Sequence, residues 1–118
     1  MADEMELRDW TIVLSDKPAP EDALGYVKVT YGRKLATIDL TPDFRDCDLE
    51  EQRHTVVHEL VHCHLEPATN MVLNDLEEPL GKQADQIFWE GFKRQNEYAV
   101  DALASAIAKH MPLIDWPK

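Results

Sequence analysis

His58-Glu59-Leu60-Val61-His62 is the stretch around which this chain is organised. On an α-helix, residues four positions apart lie on the same face, so His58 and His62 can direct both imidazoles at one zinc ion. Glu59 lies about 100° round the helix, within reach of a water molecule on that ion. This is the H-E-x-x-H pattern, in which two histidines bind zinc and the glutamate is the general base. The alternative is a pair of solvated histidines on an ordinary amphipathic helix.

The residues around the motif favour zinc binding over solvated histidines. A helix that is apolar nearly all round is buried, and buried histidines need polar partners. Apolar side chains cover most of the circumference here: Val56, Val57, Leu60, Val61, Cys63 and Leu65. We therefore expect His58 and His62 to be metal ligands.

Composition limits the classes of protein and partner. The 118 residues predict a single domain over 1–118, with its core at about 10–110. A net charge of −11 argues against nucleic acid or an anionic membrane as a partner. No stretch is long and apolar enough for a membrane span, and the acidic residues 1–10 do not resemble a signal peptide. Cys47 and Cys63 make no disulfide framework; Cys63 is expected to be a small buried thiol, and a reducing cytoplasm the compartment.

The first part of the chain predicts three strands. Residues 10–14 are rich in β-branched and aromatic side chains, and a loop rich in breakers follows at 15–20. Apolar and polar residues alternate over 25–31 and 34–41, on either side of a tight turn at Gly32-Arg33. These two segments predict an antiparallel hairpin.

The second part predicts helices. The histidine helix should begin at Asp48, which can cap it, and run to about Glu66, where Pro67 ends it. A short helix around 69–77 and a long one over 82–110 should follow, and Gly91 could kink or divide the long one. The predicted fold class is α+β, with a small, mostly antiparallel three-stranded sheet packed on the histidine helix and a C-terminal glutamate helix.

The C-terminal helix offers a third metal ligand. A catalytic zinc takes three protein ligands and keeps a fourth position for water, and the third ligand should come from a second element. Glu97 and Asp101 are four residues apart on one helical face, so Glu97 can bind zinc while Asp101 accepts the N–H of a ligand histidine. The alternative is a solvated acidic pair, which fits poorly with the apolar residues around it.

H-E-L-V-H at 58–62, followed by N-E-x-x-x-D at 96–101, resembles the gluzincin metallopeptidases. The order of a small sheet, a histidine helix and a glutamate helix is similar to the minigluzincins and to the ImmA/IrrE-type peptidase domains, a plan shared by small phage-encoded and prokaryotic enzymes. The resemblance implies that His58, His62 and Glu97 bind Zn²⁺, that Glu59 is the base, and that Asp101 orients His58. The related enzymes also use a tyrosine and a histidine to stabilise the oxyanion. No motif identifies either among Tyr26, Tyr31, Tyr98, His54, His64 and His110.

The resemblance implies a zinc metalloendopeptidase that cleaves a peptide or protein substrate. In the related families an edge strand pairs with the extended substrate, and the strand at 34–41 is the candidate here, unless it is paired within the sheet or merely solvated. A second hypothesis is a zinc-bearing regulatory or protein-binding module with little or very selective proteolysis. The third is a metal-free helical protein in which both motifs are coincidental. The residues specify neither the substrate nor the oligomeric state.

Overall fold

A small sheet is followed by two long helices. The computed structural model describes residues 1, 4–5, 7, 9–18, 25–30 and 34–114. Its strands are β1 (Thr11–Pro18), β2 (Gly25–Thr30) and β3 (Leu35–Leu40). A short 3-10 turn at Phe44–Asp46 leads into the helices α1 (Leu49–Asp75), α2 (Glu77–Leu80) and α3 (Lys82–Ala108). The predicted α+β class is confirmed.

The sheet is mixed, so the prediction of a mostly antiparallel sheet was wrong. β2 and β3 form the antiparallel pair that was predicted, with Gly25 opposite Leu40 and Thr30 opposite Leu35. β1 runs parallel to β3, and the strand order is β1-β3-β2. Alternation in a sequence shows which side chains share a face, but the order of strands depends on the connections between them.

β3 lies at the centre of the sheet, so of the two alternatives left open for it, a substrate-binding edge or a strand paired within the sheet, the second is correct. Ala36 and Ile38 are buried in the core on one face of β3, and Asp39 is buried on the other. The Asp39 carboxylate lies 3.5 Å from Nζ of Lys28 on β2, which gives this buried charge a partner. The two edge strands are β1 and β2, one on each side of β3.

β1 is longer than predicted, because residues 15–18 belong to the strand rather than to a loop. Its pairing with β3 is irregular between Leu14 and Pro18. A proline is tolerated at the end of β1 because β1 is also an edge strand, where a missing N–H breaks no pairing on the open side. Residues 19–20 of the predicted loop and the Gly32-Arg33 turn lie outside the described residues.

α1 begins as predicted and ends later than predicted. The Asp48 side chain accepts a hydrogen bond from the Glu51 backbone N–H at 2.8 Å, which confirms the N-cap. The helix then continues through Pro67 to Asp75 and absorbs the separate short helix predicted at 69–77. Buried residues on either side of the proline, Cys63 and Val72, hold both halves in the fold. Their packing outweighs the one helical hydrogen bond that Pro67 cannot make, a local penalty of about 3 kcal/mol.

α3 is a single continuous helix, and Gly91 does not divide it. Its buried residues are Val100, Ala104 and Ala108, which join Val57, Leu60, Val61 and Cys63 of α1 in the core beneath the sheet. The N-terminal half of α3 and the C-terminal half of α1 extend beyond this core. Among the described residues, no helix combines the length and the apolar character needed to cross a bilayer.

Candidate metal centre

α1 presents a ladder of histidines on one face. His54, His58 and His62 follow one another at four-residue intervals, and all three line the same cleft. The ring centroids of His58 and His62 are 5.0 Å apart. Each of these two side chains is only 19% exposed, so both rings depend on protein partners for much of their hydrogen bonding.

Glu97 of α3 meets both rings with its two carboxylate oxygens. Its Oε2 lies 3.2 Å from Nε2 of His58, and its Oε1 lies 3.0 Å from Nε2 of His62. Burial lowers the pKa of His62, against the opposing effect of the Glu97 charge. The structure therefore brings together the three residues predicted as ligands, although 39 positions separate His58 from Glu97.

The donor set fits a zinc ion in composition and in spacing. Two imidazole nitrogens and a carboxylate oxygen are ligands that Zn²⁺ commonly takes. Atoms that bind one tetrahedral ion at about 2.1 Å are about 3.4 Å from each other. The nitrogen–oxygen separations here are close to this value, and one ligand atom from each of the three residues lies within 4.8 Å of the others.

Asp101 lies one turn after Glu97 and contacts two histidines. Its Oδ1 is 3.1 Å from Nε2 of His54 and 3.6 Å from Nδ1 of His58. The hydrogen bond with His54 is the main reason that the pKa of Asp101 lies below its usual range. The Nε2 of His58 lies toward Glu97 and its Nδ1 lies toward Asp101, so Asp101 stands on the side of the ring opposite the nitrogen that could bind a metal. The placement of Asp101 therefore suits the orienting role predicted for it.

Sequence reasoning did not identify the contact between His54 and Asp101. The sequence feature that could have predicted this contact is the position of His54, which precedes His58 by four residues, the same spacing that relates His58 to His62. His54, His58 and Asp101 also lie close enough together to hold a cation. A neutral imidazole that binds a metal through Nε2 keeps its proton on Nδ1. If His58 binds a metal beside Glu97 through Nε2, its Nδ1 therefore cannot bind a second cation beside Asp101.

Replacing Asp101 by asparagine should weaken zinc binding by about 10- to 100-fold, because an amide no longer fixes the His58 tautomer as a carboxylate does. Competition with a chelator of known affinity measures the change. Asp75→Asn, at the exposed end of α1, removes the same charge away from the cleft and serves as the control. Equal zinc affinities for the two variants would show that Asp101 does not support the site.

Glu59 occupies the buried side of the cleft. Its side chain projects toward β2, where the backbone N–H of Val27 donates to its carboxylate, and the residue is 6% exposed. Burial, and then the charge of Glu97, raise the pKa of Glu59 to about 7. A carboxyl group whose pKa lies near neutrality suits the transfer of a proton in either direction. A cation between His58, His62 and Glu97 would favour the ionised form of Glu59.

The raised pKa of Glu59 predicts how the stability of the metal-free protein depends on pH. A carboxyl group favours folding while protonated when its folded pKa exceeds its unfolded pKa. The free energy of unfolding should therefore fall by at most about 3 kcal/mol as pH rises from about 4.5 to 7. Glu59→Gln should remove this contribution, so the stability of the variant relative to wild type should grow over this interval. Urea denaturation with a chelator at pH 5 and pH 8 tests this, and an unchanged difference between the two proteins would contradict it.

The cleft has a volume of about 530 Å³ and lies between β2, α1 and α3. At Gly25, β2 lies close to α1, since a Cβ there would be 3.0 Å from Cγ2 of Thr55 and 3.6 Å from Cγ of Glu59. β2 thus forms the wall beside Glu59, whereas β3, the sequence-based candidate for pairing with a substrate, lies at the centre of the sheet. The parallel pairing of β1 with β3 leaves β2 at this edge.

Two of the six candidates for an oxyanion-stabilising residue line the cleft, Tyr26 and His54. The exposed Tyr98 lines a neighbouring depression. The Nε2 of His64 lies 2.6 Å from the backbone carbonyl oxygen of Met5, which gives this side chain a structural partner. His110 is exposed beyond the end of α3, and Tyr31 lies outside the described residues.

The two cysteines take no part in the cleft. Both are free, and Cys63 is fully buried in the core. Burial is the main reason that the pKa of its thiol rises to about 11, so Cys63 is protonated at neutral pH. This agrees with the small buried thiol expected from the sequence.

A scan of protein-family models and searches of the curated proteins and of the solved structures found no match to this chain.

Proposed function

We propose that this protein is a zinc-dependent metallopeptidase, similar in its site and mechanism to the gluzincins. The observation that carries the proposal is the meeting of Glu97 with both His58 and His62 beside a buried Glu59. Histidine and carboxylate ligands alone would suit a structural metal. A buried carboxyl group near neutral pKa, next to that ligand set and open to a cleft, favours hydrolysis.

Bound zinc would polarise the substrate carbonyl and make water a stronger nucleophile at neutral pH. Glu59 would accept the proton of the attacking water and later donate it to the leaving amine. Asp101 would hold the ring of His58, and His54 would hold Asp101 in turn. Tyr26 is the cleft-lining side chain from the candidate set that could donate a hydrogen bond to the oxyanion, because the Nε2 of His54 is engaged with Asp101.

The substrate backbone would pair with β2. The Val27 N–H points away from β3, toward Glu59, and residues two positions apart in a strand direct their backbone groups to the same side. The N–H and C=O groups of Gly25 and Val29 therefore also face the cleft, which both residues line. An extended peptide could hydrogen-bond to these groups as an added strand.

The direct test is to load the purified protein with one equivalent of zinc and to screen a library of fluorescence-quenched peptides. We expect stoichiometric zinc, cleavage at internal bonds, loss of cleavage with a chelator, and recovery when zinc is restored. Stoichiometric zinc with no cleavage of any peptide would favour the alternative of a regulatory or protein-binding module. Failure to bind zinc would contradict both readings.

A further inference from the structure

The cleft continues beyond His62 between α1 and α3. A side chain of the peptide substrate could bind at this end, a role that rests on the proposed function. α1 and α3 run antiparallel, with Glu97 opposite His58 and His62 and with Asp101 opposite His54 and His58. Continued by one turn along α1, this pairing places Glu66 opposite the segment 89–93 of α3. Glu66, Trp89 and Phe92 all line the cleft.

Glu66 is a partly buried carboxylate with no partner among the described residues. Its side chain is partly buried, and burial raises its pKa. Within the part of the chain that the structure describes, no hydrogen bond or ion pair involves its side chain. A carboxylate that is partly removed from water and unpaired is stabilised by a cation that enters beside it.

Trp89 and Phe92 supply an aromatic wall at this end of the cleft. Their rings are stacked, with centroids 6.1 Å apart and planes inclined by 26°. Aromatic faces attract ammonium and guanidinium groups, and they also pack on the methylene stem of a long basic side chain. A carboxylate across the cleft from such a wall matches the two parts of a lysine or arginine side chain.

The charges of the cleft also favour a cation. Four carboxylates line it, at Glu59, Glu66, Glu97 and Asp101, and Lys93 is its one lysine or arginine among the described residues. The Lys93 ammonium is 3.6 Å from a carboxylate oxygen of Glu90, and its side chain is 54% exposed, so this charge is paired at the rim. A zinc ion among His58, His62 and Glu97 would lie next to Glu97 and Glu59, and Asp101 already contacts His54 and His58. Glu66 is the carboxylate of the cleft that has neither kind of neighbour among the described residues.

We propose that Glu66, Trp89 and Phe92 form a subsite for a lysine or arginine side chain of the substrate, close to the bond that is cut. Glu66 lies one helical turn past His62, about 6 Å along the axis. An extended peptide advances about 3.4 Å per residue. For a peptide that runs along α1, this distance corresponds to about two residues from the bond that is cut.

The test uses acetylated alanine hexapeptide amides that carry one arginine, lysine, leucine or glutamate at each position in turn. Binding is measured by calorimetry on the zinc-loaded Glu59→Gln protein, in which turnover is suppressed, and kcat/KM is measured on the wild-type enzyme. At one position, the basic peptides should bind about tenfold more tightly than the leucine peptide. Glu66→Gln should reduce this preference to about twofold or less and leave the affinity for the leucine peptide unchanged.

Two further variants separate the contributions. Glu78→Gln removes the same charge on the exposed helix α2 and should leave the preference intact. Trp89→Leu should reduce the preference for arginine more than that for lysine, because a planar guanidinium stacks on an aromatic face. Any of three results would overturn the subsite. The preference for basic peptides could survive Glu66→Gln, the wild-type protein could show no such preference, or it could prefer glutamate.

The outcomes distinguish the subsite from the proposed function. If peptides are cut without regard to basic residues, the subsite is wrong and the peptidase stands. If basic peptides bind in a manner that depends on Glu66 but none is cut, the subsite stands and the peptidase proposal fails. If the protein holds no zinc, the binding measurement is made on the metal-free chain, whose subsite residues are the same.

Discussion

Glu59→Gln is expected to lower kcat for peptide hydrolysis by about 100- to 10,000-fold while zinc content stays at the wild-type level. Glutamine matches glutamate in size and can occupy the same buried position beside β2, but it cannot accept a proton from water. Glu59 is not one of the three proposed ligands, and Glu97 keeps its contacts with His58 and His62 in the variant. Steady-state kinetics and metal analysis of the same preparation measure the two effects together.

The control for this substitution is Glu78→Gln, which removes one carboxylate from an exposed position outside the cleft and should keep wild-type kcat. Activity that survives Glu59→Gln would mean that another group accepts the proton. Loss of zinc along with activity would mean that Glu59 helps to hold the metal, in which case the loss of rate would not identify a base.

Glu97→Gln is expected to weaken zinc binding by more than the roughly 100-fold that the loss of a supporting carboxylate can cause, because it removes the one charged ligand. A neutral amide oxygen is a poorer donor for Zn²⁺, and two imidazoles from one helix would then hold the ion almost alone. The substitution also removes a charge that raises the pKa of Glu59, so that pKa should fall in the metal-free variant. Chelator competition measures the first effect, and NMR titration of the Glu59 carboxyl measures the second.

Glu78→Gln is the control, since it removes the same charge from an exposed position on α2, outside the cleft. Circular dichroism of both variants shows whether α3 is intact. A folded Glu97→Gln protein that binds zinc with wild-type affinity would remove the third ligand from the site. The remaining histidine pair would then be too small a ligand set for a catalytic zinc, and the peptidase proposal would fail with it.

The histidine helix illustrates how much of this site local sequence could predict. The four-residue spacing of His58 and His62, the apolar residues between them and the Asp48 cap all act within one helix, so they needed no tertiary information. Glu97 and Asp101 were also predicted as a pair on one face. We inferred from the need for a third ligand, and not from local structure, that Glu97 and Asp101 would face the histidine helix.

The sheet and the helix ends show where local reasoning failed. Alternation predicted the β2–β3 hairpin but could not place β1, because the side of the hairpin on which β1 pairs is decided by packing and by its connection. Pro67 is a strong local signal for a helix end. It was overruled by burial on both sides of the proline, which no local window contains.

Sequence by itself determined which side chains are candidates to hold a metal or to move a proton, and it determined the net charge of −11. These properties depend on residue type and on spacing within one helix. Tertiary structure alone decided that Glu97 reaches both imidazoles, that His54 shares Asp101, and that β2 rather than β3 lies beside Glu59. Each of these depends on how separate elements pack against one another, and packing is settled by the whole core at once.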